Sequence, residues 1–155
     1  MKTLIIFFII IISASINFPQ TKTIKTGLYL VIPQDSCYAK SNKIKIGYLS
    51  DTLCLEQKPV ITVKDIDTCI TTRAILDGKE LYVLNIALKQ TAKTKFKEVT
   101  ERNVGKKMAL VIDRKVVMAA VIRDPVTTGR LTVSGEKEQE INLWAKKLRE
   151  EMKKK

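Results

Sequence analysis

Apolar and polar positions alternate along this chain in blocks, and the blocks change period. Gly27-Leu-Tyr-Leu-Val-Ile32 is rich in β-branched and aromatic residues and stops at Pro33-Gln34-Asp35-Ser36, which predicts a strand and a turn. Ile44-Lys-Ile-Gly-Tyr-Leu49 starts with the same alternation, and the two runs are expected to pair as a hairpin with a long loop. Thr71–Leu76 and Leu81–Ile86 flank Asp77-Gly78, a dipeptide suited to the left-handed residues of a tight hairpin turn. From Leu88 the period becomes helical: Leu88, Ala92, Phe96 and Val99 share one face, while Lys89, Lys93, Lys97 and Glu101 occupy the other. Asn103-Val104-Gly105 supplies the helix end, since Asn and Gly tolerate the left-handed conformation.

Met108–Ile112 and Val116–Ile122 are continuously apolar and are separated by Asp113-Arg114-Lys115. Both are expected to be strands buried on much of each face, joined by a tight turn. Arg130–Ser134 alternates as a shorter strand and ends at Gly135. Over Lys137–Lys155, Ile141, Trp144, Leu148 and Met152 form one helical stripe, with the charged residues facing water. Trp144 is expected to anchor this helix to the sheet rather than stack on a ligand. The element order predicts an α+β domain, a mostly antiparallel sheet with two main helices packed on one face.

The start of the chain has a different character. Lys2, the apolar run Leu4–Ile12 and the small residues Ser13-Ala14-Ser15 follow the pattern of an export leader cleaved after Ser15. The apolar run is shorter than the roughly 20 residues a membrane-spanning helix needs, so a leader is preferred to an uncleaved anchor. No cysteine lies between Ser13 and Gln20 to carry a lipid. The expected location is therefore the periplasm or cell envelope.

Charge and composition narrow the function. A formal charge of +12 favours anionic partners or serves solubility, and its lysines are spread along the chain, as on a solvated surface. Nucleic acid is not expected as a partner of an exported protein. With no histidine, neither a Ser-His-Asp triad nor a Cys-His pair can be built. Phosphate-loop and dinucleotide fingerprints are also absent. The expectation is a non-enzymatic protein without catalytic residues, cofactor or metal. Asp65 and Asp67 are too few ligands for a calcium or magnesium site and are read as a helical cap or solvated groups. Cys37, Cys54 and Cys69 allow one intramolecular bridge and one buried thiol, with the pairing open.

Phe96, Thr100, Asn103-Val104-Gly105-Lys106, Ala109–Asp113, Val116, Ala119–Ile122, Gly129 and Val133-Ser134-Gly135 carry a resemblance. Over Val83–Leu148 the chain resembles the head subdomain of the first periplasmic domain of SecD, the accessory membrane subunit of bacterial protein export. Pro59–Thr62 and Asp65-Ile66 look like the entry to the same subdomain. Arg114 stands where that family normally has glycine, and Ala119-Ala120-Val121 stands where Ser-Ala-Pro is typical. The organisation expected is a leader over 1–15, a linker and N-terminal strand region over 16–54, a SecD head-like domain over 55–152 and a basic tail over 153–155.

The resemblance implies a free-standing head domain that binds a polypeptide or protein partner, with the export machinery as a candidate partner. An apolar groove or exposed edge strand beside the second hairpin is the expected contact surface, with Val117, Ala119 and Val121 its candidates, although core packing accounts for the three equally well. The alternative is a basic envelope-surface protein held peripherally on anionic lipid or polymer by electrostatics, which predicts binding that falls steeply with salt.

Overall fold

The computed structural model of the protein describes residues 24–37, 42–45 and 52–154. The expected leader, and the later part of the run Ile44–Leu49, lie outside the described residues. In chain order the strands and helices are β1 (Gly27–Ile32), β2 (Asn42–Lys45), β3 (Thr52–Leu55), β4 (Ile61–Thr62), β5 (Ile66–Leu76), β6 (Lys79–Leu88), α1 (Gln90–Arg102), β7 (Lys107–Ile112), β8 (Lys115–Val121), β9 (Arg130–Gly135) and α2 (Glu138–Lys153).

The class is α+β, with the strands divided between two antiparallel sheets. One has the order β2-β3-β1-β7-β8, with β4 also on β1, and the other is β5-β6-β9. The division follows from occupancy of strand edges. Both edges of β6 are taken, by β5 and by β9, so the chain leaving α1 has no edge there and β7 pairs with β1 instead. The expected pairing of the first two runs is also corrected. β2 pairs with β3, while β1 lies between β7 on one side and β3 with β4 on the other. β3 and β4 share that side because residues 56–60 bulge away, bounded by bonds from Glu56 N–H to Leu30 C=O (3.1 Å) and from Val60 N–H to Leu28 C=O (2.7 Å). The N-terminal strand region is thus part of the same sheet as β7 and β8.

The main core lies between the sheets and helices. Leu28, Leu30, Met108, Leu110 and Ile112 from one sheet meet Leu84, Ile86 and Val133 from the other. The opposite face of β1 and β7 is also buried, where Tyr29, Ala109 and Val111 cluster with Leu55 of β3. Burial of β7 on both faces agrees with its unbroken apolar sequence. β8 departs from that expectation: it is an edge strand, half-buried at Val116–Met118 and exposed from Ala119 to Val121.

Helix α1 begins at Gln90, so Leu88 ends β6 rather than starting the helix. Its buried stripe is Ala92, Phe96 and Thr100, with Val99 at the margin. Thr100 is tolerated there because every polar atom is used. Its hydroxyl donates to Phe96 C=O (2.9 Å) and accepts from Val126 N–H (2.9 Å). Helix α2 buries Ile141, Ala145 and Leu148, and half-buried Trp144 and Met152 pack on the same cluster. Trp144 therefore anchors the helix, as the stripe predicts.

Both hairpin turns are two residues long with positive φ at each position: Asp77 (50°) and Gly78 (75°), then Asp113 (47°) and Arg114 (64°). Mirror-image turns of this kind match the twist of the strands they join, but an L-residue with a Cβ is strained in that region. Arg114 carries that strain at an exposed site. Arg114→Gly is expected to stabilise the protein by about 0.5–1 kcal/mol, read as a raised urea midpoint with an unchanged slope. An unchanged or lowered midpoint would show that the arginine side chain offsets the strain.

Candidate polypeptide-binding cleft

The outer edge of β8 has no hydrogen-bonded partner strand among the described residues, although β2, from the far end of the same sheet, approaches it. Its C-terminal half faces a cleft of about 940 Å3. One wall is Ala119, Ala120 and Val121; the other comes from β1 and β3, through Val31, Ile32 and Leu53. Lys106 and Lys107 stand at the start of β7, while Cys54 and Glu56 close the far side. The surface is an apolar trough with a polar rim and one strand edge unpaired by hydrogen bonds, an arrangement that takes an extended peptide by main-chain hydrogen bonds and side-chain contacts.

Of the three residues expected in such a groove, Ala119 and Val121 line the cleft and Val117 does not. The reason is a β-bulge. Leu110 pairs with Met118 and Val111 with Val116, so Val117 is an extra residue without an opposite number. The insertion shifts the alternation, and Val117 packs on the main core beside Met118 while Val116 faces the smaller cluster. A bulge leaves no mark on a continuously apolar run, so the sequence does not separate Val117 from Ala119 and Val121. The opposite wall was not legible either, since Val31, Ile32 and Leu53 read in sequence as ordinary strand core.

A disulfide between Cys37 and Cys54 ties the turn after β1 to β3 and so holds that wall. Cys69 is the buried free thiol, close to Ala145 C=O at 4.0 Å. Burial pushes its pKa up despite the opposing pull of Arg149, which keeps it a thiol and a poor nucleophile at neutral pH.

Asp65 is the capping residue that its setting suggested. Its Oδ2 accepts from Thr62 N–H and from the Thr62 hydroxyl, both at 2.8 Å, closing the short turn Val63–Asp65 before β5. That carboxylate is committed to the backbone, and Asp67 is exposed on β5. No cluster of three metal-ligating side chains occurs among the described residues. No helix among them is long and apolar enough to cross a membrane.

A family model described as SecDF, P1 head subdomain, matches residues 40–151, which runs from just before β2 to the last turns of α2. The protein translocase subunit SecD of Aquifex aeolicus is 40% identical over 79 residues, covering 50% of this chain and 15% of the relative. SecD of Thermobaculum terrenum is 37% identical over 67 residues, 43% of this chain and 13% of its own length. The chain therefore spans about one seventh of these relatives. Among solved structures, one described as a membrane component SecDF that enhances protein export superposes with a TM-score of 0.55 at 20% identity, over 81% of this chain and 63% of that one. SecDF in a super-membrane-facing form gives 0.57 at 21% identity, over 79% of this chain and 18% of that one. At that identity the superpositions speak to the fold, and the fold agrees with the family match. With the match covering β2 to α2, this chain belongs to the SecDF P1 head subdomain family.

Proposed function

We propose that the protein is an exported, non-enzymatic binding domain that acts in protein export by holding an extended polypeptide segment in the cleft beside β8. The observation that carries this reading is the edge of β8, unpaired by hydrogen bonds and facing an apolar wall, with Ala119, Ala120 and Val121 exposed on it. An unfolded chain in transit offers what such an edge requires, unpaired backbone and apolar side chains. Family membership and the leader-like N-terminus support a role with the export machinery outside the cytoplasm.

The test is binding of a capped, uncharged, apolar heptapeptide to the full chain, followed by calorimetry at 0.15 M and 1 M NaCl. Binding should survive high salt, because main-chain and apolar contacts are not screened as charges are. Val121→Lys adds a charge to an already exposed position and should weaken the peptide about tenfold with little change in stability. Equal binding by the variant would remove β8 from the site. The formal charge of +12 favours the second reading, electrostatic attachment to anionic lipid or polymer. Failure of the peptide to bind, with anionic vesicles captured only at low salt, would decide for that reading.

A further inference from the structure

The opposite end of the β7–β8 hairpin holds a second pocket, of about 720 Å3, within the range that small-molecule sites occupy. Its apolar surface is half-buried and comes from Ile24, Pro59, Val63 and Met152. Thr26 is buried beneath it and fully used: its hydroxyl donates to Glu151 Oε1 (2.6 Å) and accepts from Asp113 N–H (3.1 Å). The relay ties the entry to β1, the hairpin turn and the end of α2 into one wall, and with residues 59–64 the pocket is built by four separate stretches of chain.

The charges around it are unbalanced. Both carboxylates at the pocket already have partners, Glu151 with the Thr26 hydroxyl and Asp113 with Lys147 at 3.4 Å. Lys25, Lys64, Arg114 and Lys154 also line it, are exposed, and make no ion pair among the described residues. An apolar surface ringed by uncommitted cations suits a ligand with an apolar tail and an anionic head, since each part meets its complement.

We propose that this pocket binds a single-chain anionic amphiphile, its acyl chain against Val63 and Met152 and its head group among Lys64, Arg114 and Lys154. This site is separate from the cleft beside β8 and does not depend on the function proposed for that cleft. The probe is sodium laurate, titrated below its micelle concentration into the isotopically labelled full chain, with the Thr26 and Asp113 amide resonances reporting location. Saturable shifts at those two amides are expected. Between octanoate, decanoate and laurate, affinity should rise about tenfold for every two methylenes, the gain from burying them.

Lys64→Gln with Arg114→Gln should weaken laurate about tenfold. Lys154→Gln alone, past the end of α2 where it cannot disrupt packing, should weaken it about threefold. Lys95→Gln with Lys97→Gln, on the exposed face of α1, removes the same net charge elsewhere and should leave affinity unchanged. Equal weakening by that distant pair would overturn the site in favour of the general field of the protein. Equal binding of neutral dodecyl maltoside, or matching shifts from inorganic phosphate alone, would overturn it by removing the need for a head group or for a tail. Absence of shifts at Thr26 and Asp113 would do the same.

Discussion

Phe96→Ala is expected to lower the stability of the protein by about 3–5 kcal/mol, the range for deleting a buried aromatic ring from a core that cannot collapse around the gap. The ring is 1% exposed and is the one large side chain on the buried stripe of α1, where its companions are Ala92 and Thr100. The remaining ties of that helix are local. Leu88 N–H to Gly129 C=O and Lys89 N–H to Asp65 C=O, both 2.9 Å, hold its start, and the Thr100 hydroxyl receives Val126 N–H near its end. Without the ring, the helix keeps its ends and loses its middle. The measurement is urea unfolding followed by circular dichroism. A loss below about 1 kcal/mol would mean that α1 is held chiefly by its hydrogen bonds. Because α1 runs into Gly105 and Lys106 at the edge of the cleft, the variant should also bind the heptapeptide more weakly.

Reducing the Cys37–Cys54 bridge is expected to cost about 3 kcal/mol, the loop-closure value for a ring near 15 residues, here a separation of 17. The bridge also fixes the wall of the cleft that includes Cys54, so peptide affinity should fall with it. The experiment compares urea midpoints with and without reductant, and repeats the comparison for Cys37→Ser. Unfolding the unreduced protein should expose one reactive thiol, Cys69, and unfolding the reduced protein three. A midpoint indifferent to reductant would show that the turn after β1 is held by its backbone contacts alone. An unchanged peptide affinity after reduction, with stability lowered, would place the binding surface on β8 without the β1–β3 wall.

Much of the fold is visible along the chain because it depends on local order. The helical spacing of Phe96, and of Ile141, Trp144 and Leu148, marks two amphipathic helices, and Asp77-Gly78 and Asp113-Arg114 mark two hairpins through the backbone conformations such turns require. Asp65 was readable as a cap for the same reason, since its partner Thr62 lies three residues away. The family resemblance rests on these positions as well, which is why it located the scaffold and left the binding surface open.

What the pattern did not carry is pairing between distant segments. That β2 joins β3 and not β1, and that the strands form two sheets, depends on which strand edges are already occupied. Val117 left the groove through a one-residue bulge, to which binary patterning is blind because every neighbour is apolar. Cys37 found Cys54 only because β3 runs beside β1. The basic pocket likewise joins Thr26, Asp113 and Glu151 from three separate stretches. Taken alone, the sequence determined the helices, the hairpin turns and the lack of histidine, since each rests on neighbouring residues or on residue types. The tertiary structure decided the cleft, the disulfide and the pocket, because each is formed by side chains that come together only after the strand edges have chosen their partners.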